Sequence, residues 1–429
     1  MLMSKIEELI SELCPLGVNL KAIDDCVYSI RSGLNPRDNF RLDVPGANNF
    51  YVTVKEITSG KIVFSDKTSR IDDEAIDIIQ KRSRLEKNDV LLSGIGTIGK
   101  AAIVDIDTSN WNVSESVLLL KPRLEIINPR YLYYLLESSV IKNELIKQSV
   151  GSTLKGIRMT SLRNALIPVP PLEVQNEIVR ILDNFSALEA ELEAELEART
   201  KQYEYYRDML LDFSSGSVGV PKIDKMLAEM CPNGVINKKL EDIGTDFFRG
   251  FGIKRNELTA SGSPCVRYGD IYTKYNVWFS KSELLTNPVS IKSKKYAETG
   301  DILFAITGEK VDEIGKSVAY VGKEKLIVGG DIAVMKHTQN PKYIAYSLET
   351  NSLRMQKSKG KVKSKVVHMS VGDIKKLSVF VPPLEVQNEI VEILDNLSTY
   401  VSSLSEGLPA EIKARRQQYE YYRNKLLTF

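Results

Sequence analysis

PPLEVQNEIVRILDN, from Pro170 to Asn184, returns almost unchanged as PPLEVQNEIVEILDN, from Pro382 to Asn396. Working outward, QYEYYRDMLLDF at Gln202 to Phe213 returns as QYEYYRNKLLTF at Gln418 to Phe429, which places the end of the repeat at the last residue. ISELCPLGV at Ile10 to Val18 is answered by LAEMCPNGV at Leu227 to Val235. A period near half the chain is too long for a solenoid and indicates a duplicated domain. The segments between the matched blocks barely match, so two similar frames hold two different inserts.

After each proline pair the apolar spacing becomes helical. Val174, Ile178, Ile181, Phe185, Leu188 and Leu192 step by four and three, as do Val386, Ile390, Ile393, Leu397 and Tyr400, which is the a/d seam of a coiled coil. The prolines suit the first turn of a helix, where no N–H is required. LEAE units fill Leu188 to Ala198 with strong helix formers. The second copy is four residues longer between Asn396 and Gln418 than the first is between Asn184 and Gln202, and carries Gly407 and Pro409. A proline inside a helix clashes with the preceding turn, so a break or kink is expected there.

The inserts mix β-rich runs such as DVLLSGI and DILFAIT with the helical segments NPRYLYYLLES and NPKYIAYSLET. Each reads as an α+β domain of about 150 residues. The expected order is an N-terminal helix (1–18), a first insert (19–169), a central helix (170–213), a linker with the second N-terminal helix (214–235), a second insert (236–381) and a C-terminal helix (382–429). The fold class is α+β: two similar domains joined by two long antiparallel helices, an internal duplication with pseudo-two-fold character.

Composition is that of an ordinary soluble protein, 43% hydrophobic and 27% charged. MLMSKIEELISELCP is amphipathic, with Ile6, Leu9, Ile10 and Leu13 on one face, and lacks the continuous apolar run of a signal peptide. No run is long enough to span a bilayer. Cys14, Cys26, Cys231 and Cys265 show no CxxC spacing, so neither a zinc site nor a disulfide scaffold is indicated; a cytoplasmic protein without membrane contact is expected.

GIGTIGK at Gly94 to Lys100 imitates a dinucleotide fingerprint, but AAIVDI follows where a helix must open, so a glycine-rich hairpin is expected. GEKVDEIGKS at Gly308 to Ser317 has six intervening residues where a P-loop needs four. The two histidines, His337 and His368, lie only in the second copy and at unrelated positions, which argues against a triad or a duplicated metal site. No catalytic residue, metal or cofactor is expected. A duplicated nucleotide-dependent enzyme and a coiled-coil scaffold without nucleic acid are the alternative classes.

The net charge is only +2, but from Arg354 to Lys376 the chain carries Arg354, Lys357, Lys359, Lys361, Lys363, Lys365, Lys375 and Lys376 against Asp373 alone. Phosphate binding needs a local basic face rather than a basic whole, although a solvated lysine-rich loop has the same composition. Three loops recur at equivalent places. They are an Arg/Gly turn (IRSGLNPR at Ile30 to Arg37, FRGFGIKR at Phe248 to Arg255), the hairpin ending at Lys100 or Lys316, and the loop before the prolines (QSVGSTLKGIR at Gln148 to Arg158, KSKGKVKSK at Lys357 to Lys365). Glycine with hydroxyl, amide and cationic groups suits loops that meet phosphates and base edges. Base readout is expected from Arg31, Asn35, Arg37, Lys155 and Arg158 in the first insert and from Arg249, Lys254, Arg255, Arg267 and Lys310 in the second. Further DNA contacts are expected from Ser32, Lys55, Lys100, Ser152, Thr153, Tyr268, Lys316, Lys359, Lys361, Lys363 and Lys365.

With PPLEVQNEI, a long helix ending in QYEYYR and a variable insert ending in IPVPPL or VFVPPL all present twice, the chain resembles the specificity subunits of type I restriction-modification systems. The resemblance spans essentially the whole length. It implies two target-recognition domains, each reading half of a bipartite double-stranded DNA sequence, and antiparallel conserved helices that dock two methyltransferase (modification) subunits, with restriction subunits joining that complex. The residues alone lead to the same geometry: two unlike readers on a stiff spacer suit two half-sites separated by unread bases, with the chemistry supplied by partners.

Overall fold

From Leu172 to Leu211, and again from Leu384 to Leu426, the backbone is one continuous helix. Both begin directly after the proline pair: the amides of Val174 and Gln175 donate to the Pro171 carbonyl, and that of Gln387 to Pro383. The proline pair thus supplies helix acceptors without needing donors of its own. The computed structural model describes residues 2–149, 156–361 and 366–429. They form two compact units, one of Met1–Glu193 with Leu408–Phe429, the other of Ala194–Gly407.

In the first unit, antiparallel strands Val27–Ser32, Val117–Pro122, Val90–Ser93 and Ala101–Ile103 lie side by side in that order. In the second, Gly244–Arg249, Ile332–His337, Ile302–Ala305 and Ser317–Tyr320 repeat it, with Trp278–Phe279 added in parallel at the edge. The glycine-rich segment is indeed a hairpin, Leu92 opposite Ala101, and its counterpart sets Phe304 opposite Ser317. A short strand at the start of each insert pairs with one at its end, Leu20–Ala22 with Leu166–Pro168 and Asn237–Lys239 with Ser378–Phe380. This pairing closes the insert and delivers the chain to the prolines.

Each sheet packs on a helix that begins at an Asn-Pro pair, Pro129–Glu137 or Pro341–Leu348, capped by the side chain of Asn128 or Asn340. The repeated glutamine of PPLEVQN then locks insert to long helix. Gln175 is fully buried, accepts from the Asn128 amide at 2.8 Å and donates to the carbonyls of Ile126 and Pro170. Gln387 accepts from the Asn340 amide at 3.0 Å and donates to Pro382. Asp183 receives Arg130 and Tyr134; Asp395 receives Lys342 and Tyr346. Lys5 on the amphipathic N-terminal helix pairs with Glu177 as Lys222 does with Glu389. Of that helix's expected apolar face, Ile6 is buried and Leu13 is exposed.

Within the first unit the two long helices run antiparallel, since Phe185 stacks on Tyr422 while Arg416 pairs with Glu189 and Glu193. Val174, Ile178 and Ile181 fill the expected seam, but Leu188 is 46% exposed, so the seam thins where the LEAE units begin. The expected break at Gly407 and Pro409 does not occur: the helix continues from Leu384 to Leu426 through Pro409. The turns after it are held from outside by Arg416, Tyr422 and the buried Ile412, Leu426 and Leu427. Tertiary packing of this kind outweighs a local propensity deficit.

Candidate nucleic-acid interface

The three recurrent loops meet at one end of each sheet through equivalent backbone hydrogen bonds. In the first insert Leu34 bridges Ser114, the Gly94 amide donates to Ser116, and the Ile157 amide donates to Gly94. In the second the Gly250 amide donates to Ile332, Ile306 to Asp331, and Met369 to Ile306. The Arg/Gly turn, the hairpin and the segment leading to the prolines, represented in the second insert by Met369 just beyond Lys357–Lys365, therefore share a rim in both. Glycine is required at the crossing: a Cβ on Gly33 would lie 1.7 Å from the Val113 carbonyl oxygen, and one on Gly250 2.2 Å from that of Gly329.

In the first insert this rim holds a cleft lined by Asn35, Pro36, Arg37, Tyr51, Thr53, Ser114, Glu115 and Ser116. Asn35 caps the short helix Pro36–Asn39, its Oδ1 accepting from the Arg37 amide at 2.9 Å. The Tyr51 hydroxyl lies 3.0 Å from Glu115 Oε2 and 2.8 Å from the Leu34 carbonyl oxygen. Burial, and then the neighbouring carboxylate, hold that phenol well above its ordinary pKa, so it stays a donor.

Of the residues expected to touch DNA, Arg31, Arg37, Lys55, Arg158, Lys254, Arg255, Tyr268 and Lys359 are exposed. None of these cations has an ion pair among the described residues. Others are engaged within the protein. Lys100 Nζ donates to the Ile57 carbonyl at 3.3 Å and Lys316 Nζ to that of Tyr272 at 3.4 Å. Desolvation lowers the pKa of Lys316. Arg249 is held by Gly330 and Asp331, Lys310 by Glu313 and Lys361 by Asp373. Arg267 Nε is buried without a hydrogen-bond partner, 3.7 Å from Asp270. Ser32 receives the Arg82 guanidinium on its carbonyl and hydroxyl. Ser152, Thr153, Lys155, Lys363 and Lys365 lie outside the described residues.

The lysine-rich run is less exposed than its composition suggests. Arg354 pairs with Glu204 and Glu349. Lys357 is buried, donating to Ser317 Oγ and the Leu348 carbonyl, and desolvation brings its pKa down to about 8. Sequence reasoning missed Tyr51, Thr53 and the Ser114–Ser116 corner, because a hydroxyl-rich turn between two strands has no marking of its own. Aligning that corner on Gly329–Asp331 through the sheet register would have drawn attention to it.

No helix among the described residues is long and apolar enough to cross a membrane. The family model for the type I restriction modification DNA specificity domain matches residues 50–198 and 232–414. The chain is 31% identical, over 311 residues covering 70% of each chain, to the specificity subunit of the type I restriction enzyme EcoR124I/EcoR124II of Escherichia coli. It is 25% identical over 341 residues, 75% of this chain and 73% of the other, to the EcoprrI specificity subunit of the same species. A solved chain from a study of complex assembly and conformational transition in a type I R-M system shares the fold, with a TM-score of 0.55 at 17% identity over 95% of this chain and 97% of the other. With two matched segments in the two halves of one duplicated frame, the chain belongs to the type I restriction-modification specificity subunits.

Proposed function

We propose that each insert reads one half of a bipartite duplex target, that the long helices set the gap between the halves and dock two methyltransferase subunits, and that restriction subunits join through that complex. The chain itself is non-catalytic and works in the cytoplasm. The observation that carries this reading is the rim: three loops gathered by equivalent backbone bonds in both inserts, with different side chains in each. A shared scaffold with unlike rims suits two unlike half-sites. Phosphate contacts fall to the exposed cations, Arg31, Arg37, Lys55, Arg158, Lys254, Arg255 and Lys359, while the internally paired residues shape the rim.

The test is to reconstitute the full chain with modification subunits and map methylated sites on a randomised duplex library. Two short motifs at a fixed gap are expected. One uninterrupted motif, or methylation without sequence preference, would overturn the reading.

A further inference from the structure

The rim corners of the two inserts differ in one chemical respect. In the second, Gly330 carries no side chain, and the adjacent carboxylate of Asp331 is neutralised by Arg249 Nη2 at 2.7 Å. In the first, the equivalent corner presents Glu115, half-buried, with no cationic partner among the described residues. Among the described residues its one side-chain hydrogen bond comes from the neutral Tyr51 hydroxyl, on Oε2. That contact, its proton shared with the Leu34 carbonyl oxygen at 2.8 Å, positions the carboxylate without cancelling its charge, in a cleft that Asn35 and Arg37 also line.

A full negative charge at a surface meant for a polyanion is repelled by phosphate, so it weakens every complex in which it finds no donor. Exocyclic amino groups are the hydrogen-bond donors that bases present in the major groove, on adenine N6 and cytosine N4. Acceptors there, such as guanine O6 and N7 or thymine O4, would face the carboxylate and be rejected.

We propose, building on the bipartite reading above, that Glu115 is a specificity-determining residue of the first insert. It accepts the amino group of one adenine or cytosine, held in aim by Tyr51, with Asn35 and Arg37 supplying donors to the same or an adjacent base pair.

The experiment selects bound sequences from a randomised duplex library with the full-length chain and with its Glu115→Gln and Tyr51→Phe variants at one salt concentration. The expected result for E115Q is loss of preference at a single base-pair position of one half-site, by about 10- to 100-fold, with the other half-site and the gap unchanged. Y51F, which keeps the carboxylate, loses a smaller factor at the same position. Whether the preferred base was adenine or cytosine separates the two sources of the amino group. An unaltered motif in both variants overturns the proposal, as does a uniform gain in affinity across all sequences, which would make Glu115 a mere repulsive charge. Where E115Q erases the whole first half-site by misfolding, Y51F still decides, and the intact second half-site reports assembly. Absence of any motif for the unsubstituted chain overturns the bipartite reading itself.

Discussion

Gln175 and Gln387 show how much one repeated letter can carry. Each buried amide satisfies a helix-cap N–H and a carbonyl of its own proline pair. Replacing Gln387 with leucine fills similar space but strands those groups, at a cost of about 2–4 kcal/mol. Denaturant unfolding is expected to show the second unit weakened by Q387L and the first by Q175L; a loss under about 0.5 kcal/mol would mean that water replaces the amide. His337 offers a pH signature. Its Nδ1 accepts from the Gln339 amide while Nε2 is buried without a partner, and burial lowers its pKa to about 4. The unfolded chain therefore binds a proton first as the pH falls. Stability contributed by the neutral ring is complete above about 6.5 and drains away down to about 4, on the order of 2 kcal/mol. His337→Asn, which retains an acceptor but does not titrate, should lose less stability between pH 7 and 4 than the natural chain. Parallel pH curves would contradict this.

At the scale of elements, the LEAE segment is an uninterrupted part of the first long helix. A helix rises about 1.5 Å per residue, so removing Leu192 to Glu195 shortens it by about 6 Å, against roughly 3.4 Å per base-pair step. A four-residue step nearly preserves the face that meets its partner. Methylation mapping should then show the same half-sites with the gap reduced by one to two base pairs. New half-sites, or an unchanged gap, would argue against the helix as ruler. The exposure of Leu188 fits a segment kept for its length rather than for a packed seam.

At the scale of the whole molecule, the first unit is built from two separate pieces of chain, whereas the second, Ala194–Gly407, is one continuous piece. Leu408–Phe429 completes the first, where Asn424 accepts from the Ser139 amide and Tyr422 stacks on Phe185. Asp208, the counterpart of Asn424, accepts from the Asn351 amide in the second. The repeated QYEYYR ends thus each cap the insert of the other copy. Ending the chain at Gly407 removes the buried Leu426 and Leu427, a loss of at least about 3 kcal/mol by burial alone. Calorimetry should show the first unit's transition falling while the second's holds; a joint fall would mean that the units do not unfold separately. Charge also acts at this scale. Lys359→Ala should weaken binding evenly across sequences and reduce the slope of log affinity against log salt by about 0.9. Lys357→Ala should leave that slope alone, because its ammonium is spent inside the protein.

Sequence alone determined the duplication, the two helices and their proline starts, the shared α+β character of the inserts and the three loops that recur at the rim. All of these are written in local period and in repetition along the chain. It did not separate Lys357 from Lys359, two residues apart in one basic run, since which of them is buried depends on how a helix is set against its sheet. Continuity through Pro409 was likewise hidden, because contacts from residues far away in sequence outweigh the local penalty. The exchange of the QYEYYR ends and the carboxylate of Glu115, which has no ion pair among the described residues, also belong to the tertiary structure. A repeat states what a segment is, whereas the segment it packs against, and the charges left without a partner, are decided only when distant stretches of chain share one surface.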